Sequence, residues 1–73
     1  MTTNPDVLIK FGTKLRQYRL QHGITQKGFA EMLGLQYSYV GSLERGEKNI
    51  SLLKLIRISK VLNISPSDLV SEI

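Results

Sequence analysis

Residues 25 to 46 read Thr25-Gln-Lys-Gly-Phe-Ala-Glu-Met-Leu-Gly-Leu-Gln-Tyr-Ser-Tyr-Val-Gly-Ser-Leu-Glu-Arg-Gly46, and this stretch decides the fold. Thr25 is an N-cap residue ahead of a short run with helical periodicity, and Gly34 is a stop that tolerates positive φ. A second run begins near Tyr37 and is stopped by Gly46. Two short helices that cross steeply need a small residue where they approach, which Ala30 supplies. They also need apolar side chains from each side of the turn: Phe29 and Leu33 from the first helix, Leu35 from the turn, Val40 and Leu43 from the second. The spacing predicts a helix, a tight turn and a second helix set across the first.

Upstream of that pair, Leu8, Phe11, Leu15 and Tyr18 recur at spacings of three and four, one face of a helix over about 6 to 22 that Gly23 ends. Downstream, a short loop at 47 to 50 leads to Ser51, a cap for a fourth helix whose inward face is Leu52, Leu55, Ile58, Ser59 and Leu62. Lys54 and Arg57 fall at helical spacing in this Leu- and Ile-rich run, which argues against a strand. Ser65-Pro66-Ser67-Asp68 then starts a last helix to about Glu72: a cap, Pro at the first helical position and an acid at the positive helix end. The expected fold class is all-α, a compact five-helix domain over residues 1–73, with the fourth and fifth helices within about 51–72. Two positions fit less well. Gly28 interrupts a short helix at a cost of up to ~1 kcal/mol relative to Ala, and Gln36 stands where a Ser or Asp cap is common.

Composition narrows the function. With no cysteine, neither a disulfide nor a thiolate metal site can staple the chain. A helical core, helped by dimerisation, must supply the stability of so small a domain. His22 is the one histidine, and no Gly-rich phosphate loop or metal-spaced cluster occurs, so the expectation is not an enzyme, with no metal and no cofactor. Met1 to Asp6 is polar, and no run approaches the ~20 apolar residues of a membrane helix. The expected location is cytoplasmic, with no membrane partner. The formal charge is +4, and all ten Lys and Arg lie between Lys10 and Lys60, while Asp6, Asp68 and Glu72 lie outside that span. The middle of the chain is therefore more basic than the total suggests, which fits either a surface that meets a polyanion or a solvated cationic face.

Helix pairs of this kind set their second helix into the DNA major groove. The competing explanation is a plain helical hairpin in a bundle, which apolar spacing alone does not exclude. The exposed positions favour DNA: Gln36, Tyr37, Ser38 and Ser42 carry uncharged hydrogen-bonding groups at the start and outer face of the second helix, where a purely structural surface would more often carry Glu and Lys.

From Phe11 to Val70 the chain resembles the lambda-repressor-like (Cro/CI, XRE) helix-turn-helix family. The resemblance is carried by Leu15-Arg16-x-x-Arg19, Gly23-Ile24-Thr25-Gln26, Phe29-Ala30, Leu33-Gly34, Tyr39-Val40 and Leu43-Glu44-Arg45-Gly46, then Asn49-Ile50-Ser51-Leu52 and Ile58-Ser59-Lys60-Val61-Leu62. Within the family it is most similar to the short controller proteins of restriction-modification systems. It shares with them a Tyr39-Val40-Gly41-Ser42-Leu43-Glu44-Arg45 stretch followed by Glu47-Lys48-Asn49-Ile50.

The resemblance implies a role for each matching residue. Tyr37, Ser38 and Ser42 occupy positions that reach base edges; none offers the two-pronged pairing that would name a base. Gln26, at the start of the second helix, is implied to hold a phosphate, with Lys27, Gln36, Tyr39, Arg45, Lys48 and Asn49 as further backbone candidates. Tyr39 alternatively packs on the domain. Arg19 and Glu44 are implied to form a partly buried ion pair that orients the reading helix. A second apolar set, Leu53 and Ile56 with Ile64, Val70 and Ile73, suits a homodimer interface, unless these side chains complete the monomer core. A two-fold dimer would set two reading helices about one DNA turn apart on a pseudo-palindromic operator. The implied function is a sequence-specific transcriptional regulator on double-stranded DNA with no small-molecule effector; activation would require contact with RNA polymerase. The alternatives are a generic phage or bacterial repressor of the same family, or an antitoxin or adaptor that uses this fold to hold a protein.

Overall fold

The computed structural model describes residues 5–73, and the sequence expectations at Met1 to Asn4 lie outside them. Five helices follow in order: α1 (Pro5–Gln21), α2 (Gln26–Leu33), α3 (Tyr37–Glu44), α4 (Leu52–Val61) and α5 (Pro66–Val70). Among the described residues there is no strand.

Local chemistry sets the boundaries. Thr25 Oγ1 accepts from the Gly28 amide at 3.0 Å, and Ser51 Oγ from the Lys54 amide at 3.2 Å. Ser65 and Asp68 form a reciprocal capping box with Pro66 in the first turn. Gln36 occupies the α3 cap position without a side-chain cap bond, so the backbone alone starts that helix. The stops share one device. Residues 23, 34, 46 and 63 are left-handed, and the next amide reaches back five residues: Ile24 to Arg19, Leu35 to Ala30, Glu47 to Ser42 and Ile64 to Ser59, at 2.9–3.2 Å. These bonds satisfy carbonyls that a helix end would otherwise strand. At α1, His22 Nδ1 lies 2.9 Å from the Tyr18 carbonyl.

The core draws on every helix: Phe11 and Leu15, then Phe29, Ala30 and Leu33, Val40 and Leu43, Ile58 and Leu62, and Leu69. Ala30, on α2, is buried, as expected of a small residue at a helix crossing. Lys14 Nζ donates to Ser71 Oγ at 3.0 Å and reaches the Asp68 carbonyl at 3.5 Å, tying the chain beyond α5 to α1. That chain leaves the helix at Val70, two residues before the expected end, and Glu72 is left-handed at φ 61°.

One expected core residue is corrected. Leu52 is 69% exposed, whereas Ile58, Ser59 and Leu62 are buried and Leu55 is half-buried. At 3.6 residues per turn Leu52 stands ~80° around the helix from Leu62, while Leu55 stands only ~20° away. As the first residue of α4, it projects past the edge of the core.

At Gly12 two helix backbones approach closely. A Cβ there would lie 2.5 Å from the carbonyl oxygens of both Leu43 and Glu44, and one on Gly46 would lie 2.7 Å from Ile9 Cα. The backbone of α1 therefore rests directly on the C-terminal end of α3. The sequence carries a signal for this, a glycine in a helix interior, where it weakens the helix unless packing needs it.

Candidate nucleic-acid interface

The α3 helix is held by a buried polar hub. Arg19 comes from α1, Glu44 from the last turn of α3 and Gln26 from the first turn of α2. Arg19 Nε and Nη2 donate to the two oxygens of Glu44 at 2.6 and 3.0 Å, a two-pronged ion pair. Arg19 Nη1 donates to the Ile24 carbonyl at 2.7 Å, just before α2, and Gln26 Nε2 donates to Glu44 Oε1 at 3.0 Å. Arg19 and Glu44 are 5% and 7% exposed, so the charges interact away from water. Removing either partner would strand the other. Three elements thus converge on one carboxylate, which fixes the angle of α3 against α1 and α2.

Glu44 leaves Gln26 less free than a simple phosphate clamp would be. One amide hydrogen is spent inside the hub, and the second amide hydrogen is left for a ligand. Tyr37 is 58% exposed, and Gln36, Ser38 and Lys27 are exposed beside it. Ser42 is buried to 7%, and its hydroxyl donates to the Tyr39 carbonyl at 2.8 Å. Its oxygen retains acceptor capacity, but a base edge can reach it only at the floor of the surface. Tyr39 packs half-buried on the core, with its hydroxyl 3.4 Å from the Asn49 carbonyl.

The start of α3 stands between two open grooves. One, of about 760 Å³, is lined by Arg19, Thr25, Gln26, Lys27 and Tyr37. The other, of about 570 Å³, is lined by Gln36, Ser38, Tyr39, Ser42, Arg45, Lys48 and Lys54. Uncharged donors and acceptors thus face outward in the middle, with cations on either flank. Lys54, on α4, is absent from the sequence reading of this surface. Its signal is a basic residue in the first turn of a Ser-capped helix directly after the Arg45–Lys48 loop.

Arg45 is engaged on this surface. Its Nε and Nη2 donate to the Glu47 carboxylate at 2.8 and 3.1 Å, with both side chains more than half exposed. The hydrogen bond from Arg45 holds the Glu47 carboxyl below its ordinary value, and the same bond raises Arg45. Exposed pairs of this kind are weak and exchange readily.

The apolar set assigned to an interface divides. Leu53 is 80% exposed and Val70 45% exposed, while Ile64 and Ile73 pack half-buried on the core. Ile56 is half-buried. Exposed Leu52 lies beside Leu53 at the start of α4. No helix among the described residues is long and apolar enough to cross a membrane.

Residues 15–69 match the helix-turn-helix family model, and the chain belongs to that family. It is 39% identical over 69 residues to the control protein C.MunI of a Mycoplasma species, an alignment that covers 93% of each chain. It is also 39% identical over 70 residues to the control protein C.BamHI of Bacillus amyloliquefaciens, covering 94% of this chain and 84% of that one. Among solved structures, the restriction-modification controller protein C.AhdI from Aeromonas hydrophila superposes with a TM-score of 0.81 at 42% identity, covering 85% of this chain and 94% of that one.

Proposed function

We propose that this chain is a sequence-specific DNA-binding transcriptional regulator that controls restriction-modification genes as a homodimer on a pseudo-palindromic operator. The observation that carries the reading is the buried Arg19–Glu44–Gln26 hub, which holds α3 with its hydrogen-bonding start outward between two grooves rimmed by cations. A helix so held can enter a major groove while the flanking cations meet phosphates on either side. Similarity to C.MunI, C.BamHI and C.AhdI over most of each chain supports the controller role. Tyr37 and Ser38 are the base readers in this account, with Ser42 behind them.

Titration of mixed-sequence duplex DNA of ~20 base pairs, about two helical turns, tests the DNA-binding part. The expected result is affinity that falls steeply as salt rises, because each neutralised phosphate releases counterions. Affinity that is absent at low salt would sink the proposal. Within the same assay, Glu47→Gln frees the Arg45 fork and removes an opposing charge, so binding should tighten by a few-fold. Weaker binding by that variant would mean that Arg45 does not meet DNA.

The homodimer is assigned to α4, where Leu52 and Leu53 form an exposed apolar step that a soluble monomer gains nothing by displaying. Sedimentation equilibrium should give twice the chain mass for the wild type and the chain mass for Leu53→Asp. An unchanged mass for the variant would count against this interface. The competing reading, a protein-binding module, would want a more apolar outer face at the start of α3 than Gln36 and Ser38 provide.

A further inference from the structure

Lys54, among the cations that line the second groove, is held in a defined place. Its backbone amide donates to the Ser51 cap, so the side chain leaves a fixed first turn of α4. Its ammonium lies 4.4 Å from the centroid of the Tyr39 ring, which belongs to α3. That ring is itself anchored, half-buried against the core with its hydroxyl toward the Asn49 carbonyl. The ion pairs among the described residues are Arg19–Glu44 and Arg45–Glu47, so no carboxylate there neutralises Lys54. The same groove is lined by Arg45 and Lys48.

We propose that Lys54 is a DNA-backbone contact, completing with Arg45 and Lys48 a phosphate cradle on the α4 side of the reading helix, and that the Tyr39 ring is its platform. The proposal rests on the reading of the chain as a DNA-binding protein. A ring face attracts the ammonium through its quadrupole without pairing it to a charged acceptor. Lysine carries three N–H donors, so those turned away from the ring remain for phosphate oxygens. A long flexible side chain normally loses much rotamer freedom when it meets a ligand. The platform has already restricted it on the correct side of the groove. Tyr39 thereby acquires a role different from direct phosphate contact: it is a positioning residue that acts through Lys54. Because Lys54 rides on α4 and Tyr39 on α3, the pair also joins the helix assigned to self-association to the helix assigned to reading.

The test is a salt series of binding isotherms on the full chain with mixed-sequence duplex DNA. Lys54→Gln should weaken binding to all duplexes alike and make the slope of log K against log salt shallower by about 0.9, the loss of one phosphate contact. Lys54→Arg should keep the wild-type slope. Tyr39→Leu keeps the charge but removes the platform, so affinity should fall with the slope unchanged. Lys54→Met, which preserves the apolar stem, supplies the charge-free measurement if Lys54→Gln does not fold. A charge-free variant with the wild-type slope would overturn the proposal while leaving DNA binding by the wild type intact. A wild type with no salt-dependent binding would overturn both.

Discussion

Replacing Arg19 by Met should cost the domain about 3–5 kcal/mol, because the Glu44 carboxylate would remain buried with its main partner gone. A chain of this length has a total stability of about 4–11 kcal/mol, so the variant should be largely unfolded or should melt at least ~15 °C lower. Gln26 cannot make up the loss, since it supplies one neutral donor at 3.0 Å where Arg19 supplies two charged ones at 2.6 and 3.0 Å. The double variant Arg19→Met/Glu44→Leu should recover much of the stability, because apolar side chains of similar volume can replace a buried pair at little net cost. It should still bind DNA poorly if the hub sets the angle of α3. Thermal melting of the single and double variants checks this. A single variant that melts within a few degrees of the wild type would show that water reaches the pair and that the hub is not structural.

The second large effect is expected at Gly12. An Ala methyl there would have to lie 2.5 Å from two backbone carbonyl oxygens of α3 and 2.8 Å from a carbonyl carbon. Side chains can move aside, but these atoms belong to the last turn of a helix. Relief requires α1 and α3 to separate, which opens the core around Phe11, Leu15 and Leu43 and pulls Arg19 away from Glu44. Overpacking typically costs ~1–3 kcal/mol and occasionally more. The helix-propensity gain of Ala over Gly returns less than ~1 kcal/mol. Gly12→Ala should therefore lower the denaturation midpoint sharply with little change in the denaturant slope. A midpoint equal to or above that of the wild type would contradict the close approach.

Local signals made most of the fold legible. Thr25, Ser51 and Ser65 cap the helices their chemistry announces, and Ala30 and Gly34 sit at the approach and the turn that a helix pair demands. Arg19 and Glu44 are 25 residues apart in sequence. Periodicity does not connect them, and their pairing was an expectation only because the motifs around them resemble a known family. Features that depend on where whole helices cross were not legible. A glycine inside a helix hints at a close approach at Gly12, but which backbone it meets shows only once α3 lies across it. Leu52 was counted with the core face, but its angle from Leu62 and its place at the start of the helix leave it outside. Ser42 shares a face with Ser38 at four-residue spacing, but its depth follows from the loop and α4 walls around it. The pairing of Lys54 with Tyr39 was not legible for the same reason, since the two lie on different helices.

The central claim is that α3, held by the Arg19–Glu44 hub, reads base sequence through Tyr37 and Ser38. The most direct measurement is repeated selection of bound molecules from a pool of random duplex DNA, followed by sequencing. The account predicts enrichment of a motif with two related half-sites about one helical turn apart, and an altered base preference when the selection is repeated with Ser38→Ala. A bound pool that stays random through successive rounds, with retention governed only by salt, would contradict it.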